Sequence, residues 1–365
     1  MPFADELLGP EVAARLVDAV ARTAPGNRLP ALRRAAKGLA GLSLRERSDL
    51  LAGALLADLP GDYASLDRQF RELLADPSVE GWMVWPVTEA VTVRALAQDP
   101  PAITPALHLL AALTPRLTAE FAIRPLLAAD LDQCLPIVRS WTGHPDEHVR
   151  RLASEGTRAH LPWARKVRPI LDQPQRTIPI LDALYRDDSE YVRRSVANHL
   201  NDLSRAEPGL VVETAARWLA EPDDNTPRLV RHALRTLVKK GHPEALALLG
   251  FRPVADVTVL GPVLTGATVA LGAELPFEVT LENTGEAAAS LAVDYVVHHL
   301  KANGARTPKV FKLTTCLLAP GERITLSRKH SFRKISTRVY YPGEHEIEVQ
   351  VNGTAFGRTA FQLLG

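Results

Sequence analysis

The chain has 365 residues, enough for two domains and a substantial core, and its formal net charge of only +1 excludes a global polyanion-binding field. Two cysteines, Cys134 and Cys316, lie far apart in sequence, which excludes a disulfide framework or a thiolate metal cluster and suits a reducing cytosol. The start, Met-Pro-Phe-Ala-Asp-Glu, has no basic segment followed by an apolar core, so no signal peptide is read; no apolar run reaches membrane-spanning length, and the histidines form no HExxH-like metal pattern.

From residue 1 to about 250 the pattern is helical, with Ala, Leu and Arg dominant and breakers between periodic segments. Helices are predicted over Pro10 to Thr23, over 44–58 and over Thr104 to Leu113. Prolines at 100, 101, 105, 115, 125 and 136 then punctuate short helices, as in stacked helical hairpins. The segment from Val149 to Arg158 puts Arg151, Glu155 and Arg158 on one helix face at i, i+4 and i+7, opposite an apolar stripe of Val149, Leu152, Ala153 and Gly156.

That helix recurs. The segments from Val192 to Asp202 and from Val230 to Lys240 align on it at their valines, with offsets of 43 and 38 residues, the spacing of HEAT-like helical repeats. The aligned ridge reads Arg151, Arg194, His232; then Glu155, Asn198, Thr236; then Arg158, Asn201, Lys239. It is polar and mostly basic, and only the first copy carries an acid at its middle position. A carboxylate among cations suits chemistry on nucleic acid, with cations to hold phosphates and one anion near the reaction. The plain alternative is an i,i+4 ion pair of Glu155 with Arg151 on a solvated face.

After Phe251-Arg-Pro253 the pattern turns to period-two alternation. Two clear runs are Phe277 to Asn283, closed by Thr-Gly285, and Glu344 to Val351, closed by Asn-Gly353. About seven such runs predict a small antiparallel sandwich of loosely immunoglobulin type. The expected division is thus a HEAT-like helical domain over 1–251 and an Ig-like β-sandwich over 253–365. Between Lys301 and Arg338 ten basic residues, Lys329, Arg333 and Lys334 among them, face a single acid, Glu322. An anionic partner would explain this; so would a solvated sheet face neutralised by Glu278, Glu282, Glu344 and Glu346.

The strings Ala119-Glu-Phe-Ala-Ile-Arg-Pro125, Val149-Arg-Arg-Leu-Ala-Ser-Glu-Gly156, Leu161-Pro-Trp163-Ala, Ser189 to Asp202 and Arg231 to Gly241 resemble the AlkC-type DNA alkylation repair proteins, relatives of the AlkD glycosylases. The likeness covers residues 4 to 251. Members with an appended Ig-like domain are similar over 253 to 365 as well, through Lys329-His-Ser-Phe-Arg-Lys-Ile-Ser and Tyr340-Tyr-Pro-Gly. The resemblance implies a monofunctional DNA glycosylase that removes 3-methyladenine and 3-methylcytosine from duplex DNA, without base flipping and without metal or cofactor. It also implies that the solenoid grips the duplex while the Ig-like domain contacts it from the other side, in a bacterial, cytoplasmic, nucleoid-associated monomer.

By that similarity Glu120 and Glu155 are the catalytic carboxylates, with Trp163 and Asp202 beside the lesion. Each has a plainer alternative: favourable helix-dipole placement for Glu120, a helix-end or turn role for Asp202, and packing between repeats for Trp163. Trp82, Trp85, Trp141 and Trp218 read as packing residues. Phosphate contacts are expected from Arg151, Arg158, Arg194, Arg235, Lys239 and Lys240, with Asn198 on the same ridge, and from Lys329, Arg333 and Lys334 of the sandwich. Arg193 and Arg231, directly after the anchor valines, are the cations expected to point elsewhere. Two other functions fit the same residues: a protein that binds alkylated duplex without cleaving it, which needs no carboxylate at the lesion, and a HEAT-type protein-interaction scaffold, which leaves the basic sandwich unexplained. Which of Glu120 and Glu155 takes which role stays open in the sequence.

Overall fold

The N-terminal helices begin where caps and prolines stand. A computed structural model describes residues 3–336 and 338–365. Pro10–Thr23 opens on a proline, whose missing N–H would be unpaired in the first turn anyway. Leu44–Asp58 opens on a capping box: Ser43 Oγ accepts from the Glu46 amide at 3.4 Å, and Glu46 Oε2 accepts from the Ser43 amide at 2.7 Å. The predicted third helix is Ile103–Leu113. Pro105 and Pro125 lie in the first turns of Ile103–Leu113 and Ile123–Ala129, where no intrahelical N–H is needed. Pro136 differs from expectation, since it sits inside Leu131–Ser140 rather than between helices.

The three motif helices lie side by side. Glu147–Gly156 packs on Glu190–Leu203, which packs on Thr226–Ala233, and Ile178–Leu184 packs on the first two. Their anchor valines Val149, Val192 and Val230 are all buried, so the alignment marks equivalent core positions. The third copy is not one continuous helix. Leu234 takes φ −84° and ψ 0°, in the bridge region, and the chain turns there before Arg235–Lys239.

Strand follows helix after Phe251: the last helix is Pro243–Leu248 and the first strand is β1 (Val257–Leu264). The other strands are β2 (Thr268–Ala270), β3 (Glu274–Asn283), β4 (Ala289–Leu300), β5 (Arg306–Leu318), β6 (Arg323–Ser331), β7 (Gly343–Val351) and β8 (Thr354–Leu364). One sheet has the order β1-β3-β6 and the other β2-β8-β7-β4-β5, antiparallel except for the β2–β8 pair. Leu275, Phe277, Val279 and Leu281 alternate inward on β3 and share a core with Leu291, Val293, Tyr295 and Val297 of β4 and with Ile347, Val349 and Val351 of β7. The two predicted runs are the C-terminal seven residues of β3 and all but the first residue of β7.

Packing divides the chain between Ala233 and Leu234, whereas composition changes at Arg252. The last two helices go with the sandwich because Leu246 and Phe251 bury against Ala292. The Asn352 side chain also ties Arg252 O (2.8 Å) to Ser290 O (3.0 Å) and accepts from the Ala292 amide (2.7 Å). A Cβ at Gly241, whose φ is +71°, would come within 2.8 Å of the Gly353 backbone, so the closeness of these two turns requires glycine.

Candidate active site

The helix Glu147–Gly156 starts at Asp146, whose Oδ1 accepts from the His148 amide at 2.7 Å. Its apolar stripe is buried as predicted, but the opposite ridge is not solvent-exposed. Glu155 is 5% exposed and Arg158 8%, because Glu190–Leu203 packs against this helix and brings Ser195 and Asp202 to them. Arg158 also lies two residues beyond the helix end rather than on its last turn.

Three carboxylates and three guanidiniums meet here. Arg158 is bidentate to Asp202, Nε to Oδ2 at 2.9 Å and Nη2 to Oδ1 at 3.2 Å, and its Nη1 donates to Glu155 Oε1 at 2.7 Å. Arg151 Nη2 lies 3.4 Å from that same Oε1, while its Nη1 donates to Glu120 Oε2 and, at 3.1 Å, to Thr118 Oγ1. Thr118 Oγ1 in turn donates to Glu120 Oε2 at 3.1 Å. Ser195 Oγ donates to Glu155 Oε2 at 2.7 Å and sits 3.0 Å from Ser154 Oγ. The third guanidinium, Arg124, feels Asp202, Glu120 and Glu155 as neighbouring charges.

Burial alone would raise the Glu155 carboxyl, but Arg151, Arg158 and the Ser195 hydroxyl together bring it below its ordinary range. Both of its oxygens are engaged. At Glu120 the hydrogen bonds go to Oε2, and among the described residues none reaches Oε1. His199, buried behind the cluster, bonds Ser154 O at 2.9 Å through Nδ1 and Thr177 Oγ1 at 3.1 Å through Nε2, and burial pushes it down to about 4. It is neutral at pH 7 and braces the two repeats.

Two aromatic side chains are offered to solvent. Trp163, at the crest of the turn Leu161–Ala164, is 91% exposed and has φ +60°. Packing between repeats is therefore not what it does in this structure. Tyr191 is 41% exposed and lies under Arg151, whose guanidinium carbon is 5.0 Å from the ring centroid. By contrast Trp85, Trp141 and Trp218 are buried as expected, while Trp82 is half-buried with its ring 5.8 Å from that of Trp85.

The remaining expected contacts have mixed placements. Arg151 and Arg158 meet at Glu155, and Asp202 is held by Arg158, because a buried cation must be paired. Arg194 is exposed, with Nη2 3.6 Å from Glu190 Oε1. Asn198 and Arg235 are half-buried, and Lys239 and Lys240 are exposed. Arg193 Nη1 donates to Asp187 O and Asp188 O, closing a helix start, as its position after the anchor valine suggested, whereas Arg231 is exposed. On the sandwich Lys329, Arg333 and Lys334 are exposed, whereas Arg306 pairs with Glu344 and Glu346 and Arg323 lies 3.8 Å from Glu282. The basic stretch is thus neutralised in part and open in part. Arg124, Ser195, Tyr191 and Thr118 are site residues that the repeat pattern did not single out.

A helical-repeat unit that holds such a carboxylate–guanidinium cluster, followed by an Ig-like sandwich, is a recognisable class. Residues 117–237 match the family model described as DNA alkylation repair enzyme, and residues 258–365 match the one described as the C-terminal Ig-like domain of uncharacterised protein YhaZ. The uncharacterized protein YhaZ of Bacillus subtilis (strain 168) is 35% identical over 246 residues, which is 67% of this chain and 68% of that protein. Pseudomonas fluorescens alkylpurine DNA glycosylase AlkC, solved bound to DNA containing an abasic site analog, superposes with a TM-score of 0.89 and 32% identity over 99% of both chains. The chain belongs to the AlkC-type DNA alkylation repair family.

Proposed function

We propose that this protein is a DNA glycosylase of base excision repair that hydrolyses the N-glycosidic bond of cationic N3-alkylated bases, 3-methyladenine and 3-methylcytosine, in duplex DNA. The observation that carries this reading is the joining of Glu120 and Glu155 through Arg151, with Trp163 exposed nearby in the chain. A pure DNA binder needs phosphate cations but no such carboxylate pair.

N3-alkylation gives the base a positive charge, so the C1′–N bond breaks with its electrons leaving on a neutral base. Deoxyribose is left with oxocarbenium character; water adds at C1′ and gives up a proton. A carboxylate near C1′ stabilises that cation and orients the water, as in glycoside hydrolysis. At about 4 Å and an effective dielectric of about 20, one such contact is worth roughly 4 kcal/mol before desolvation. That corresponds to about a thousandfold in rate. The charged leaving group supplies the rest, so no strong acid catalyst is called for.

The geometry supports a division of labour. Glu120 has the oxygen with no hydrogen bond among the described residues, so it is the carboxylate that meets sugar and water. Glu155, buried with both oxygens engaged, holds Arg151 and through it Glu120. Trp163 supplies a face for the sugar or the cationic base, and its display on the surface supports reaction without extrusion of the base into a pocket. Lys329, Arg333 and Lys334 of the sandwich, with Arg194, Lys239 and Lys240 on the repeats, are proposed phosphate contacts.

The test is release of free base from a methylated duplex by the wild type and by Glu120→Gln and Glu155→Gln. Release by the wild type and loss in both variants supports the reading. Wild-type rates of release in both variants would remove the two carboxylates from the chemistry, and tight binding with no release even by the wild type would leave a protein that binds alkylated DNA without cleaving it.

A further inference from the structure

The largest commitment of buried charge beside the site is Arg124, which is 1% exposed. It stands four residues after Glu120, on the helix Ile123–Ala129, flanked by the fully buried Ile123 and Leu126. Burying a guanidinium costs several kcal/mol unless its donors are well used. Here Nη1 donates to Gly156 O at 3.0 Å and to Arg158 O at 2.9 Å, and Nε donates to Arg165 O at 2.6 Å. Nη2 has no partner among the described residues. Burial and the neighbouring Arg158 push the group down to about 10, against the pull of Asp202, Glu120 and Glu155, and it remains a cation at pH 7.

Those three carbonyls are not scattered. Gly156 is the last residue of the helix that carries Glu155, and its carbonyl is one of the orphans at a helix C-terminus, where a cation is also favoured by the dipole. Arg158 and Arg165 bracket the turn Leu161–Ala164, with Trp163 at its crest in the left-handed region, which costs a tryptophan about 1–2 kcal/mol. Ala159, Leu161 and Val167 pin the strap by burial, but among the described residues the Trp163 ring gains almost no cover, so its direction depends on the backbone beneath it. One planar fork therefore staples the entry and the exit of the strap together, and does so from the segment that carries Glu120.

We propose that Arg124 is a positioning residue: it registers the Trp163 turn against Glu120 and Glu155 by holding the carbonyls at both ends of the segment 157–165. The proposal rests on the glycosylase reading for its effect on rate and on geometry alone for its effect on the strap. A lysine cannot reproduce three bonds in a fixed fork, although it keeps the charge.

The experiment uses the full-length protein with Arg124→Lys and Arg124→Gln, each also combined with Trp163→Ala. Amide hydrogen exchange is followed across 157–165, and base release at saturating methylated duplex is followed in single turnover. Faster exchange confined to the strap is expected, with a fall of about 10- to 100-fold in the release rate at little change in DNA affinity, the scale set by misplacement of one reacting group. In the Trp163→Ala background the same Arg124 substitution should then cost about threefold or less, since the residue it positions is gone. Equal losses in both backgrounds, unchanged exchange in the strap, or melting of both variants below the assay temperature would each overturn the proposal. If the wild type itself releases no base, the glycosylase reading fails, while strap exchange still decides what Arg124 does.

Discussion

Replacing Arg158 by methionine keeps most of the side chain's volume and removes its charge from between two buried carboxylates. Arg158 gives Asp202 two hydrogen bonds, at 2.9 and 3.2 Å, and Glu155 one at 2.7 Å, and all three side chains are buried. Breaking a buried pair by removing one partner costs about 3–5 kcal/mol, because the remaining charge has lost its compensation. Arg151 still reaches Glu155 at 3.4 Å, which places the expected loss for the full chain at the lower end, about 3 kcal/mol. In the wild type Glu155 lies below its ordinary value of 4.5, so its contribution is present above 4.5 and lost as pH falls through the lowered value. In Arg158→Met burial is opposed by less, and the carboxyl rises. The deficit of the variant should then be full at pH 7.5 and shrink towards pH 5 as the proton neutralises the stranded charge. Urea unfolding of both proteins at the two pH values measures this. A variant within about 1 kcal/mol of the wild type at pH 7.5, or a deficit that grows in acid, would refute the argument.

Three further outcomes are expected. His199, pushed down to about 4 by burial, takes up a proton more readily unfolded than folded, so the helical unit should lose up to about 3 kcal/mol between pH 6.5 and 4; His199→Gln should flatten that limb in pH-dependent unfolding, and an unchanged limb would place the titration elsewhere. A Cβ on Gly156 would meet Ile123 Cγ2 at 2.8 Å, so Gly156→Ala should destabilise by about 1–3 kcal/mol and Ile123→Val should recover part of it, as thermal melts would show. Neutralising Lys329, Arg333 and Lys334, all exposed, should lower the slope of log affinity against log salt for duplex DNA by about 2–3 if each meets a phosphate; an unchanged slope removes them from the interface.

Much of the fold was legible in the sequence for local reasons. Pro10–Thr23 and Leu44–Asp58 have the predicted bounds because Pro10 and the Ser43–Glu46 box are local signals that tertiary packing had no cause to override. The strands around Phe277 and Ile347 were legible because alternation reports which face is buried. Glu155 stood out as the one acid in a repeated basic ridge, but its burial was not legible. Periodicity within one helix does not report what the next repeat lays over it, and the groups that cover Glu155 and Arg158, namely Ser195 and Asp202, come from that repeat. Glu120 has no periodic signal and entered only through family resemblance; the structure adds Arg151 as what links the two. Arg124 carries no repeat signal, although an arginine followed by proline amid Ile123, Leu126 and Leu127 is a sign of a cation bound for the core.

The central claim is that the Glu120 carboxylate acts on the sugar of an alkylated nucleotide. Its most direct measurement is single-turnover release of 3-methyladenine from a methylated duplex by wild type and Glu120→Gln, with DNA affinity measured in parallel. A fall of about a thousandfold in rate, the size of one carboxylate–oxocarbenium contact, is expected at nearly unchanged affinity. Release by Glu120→Gln within about threefold of the wild type would contradict it.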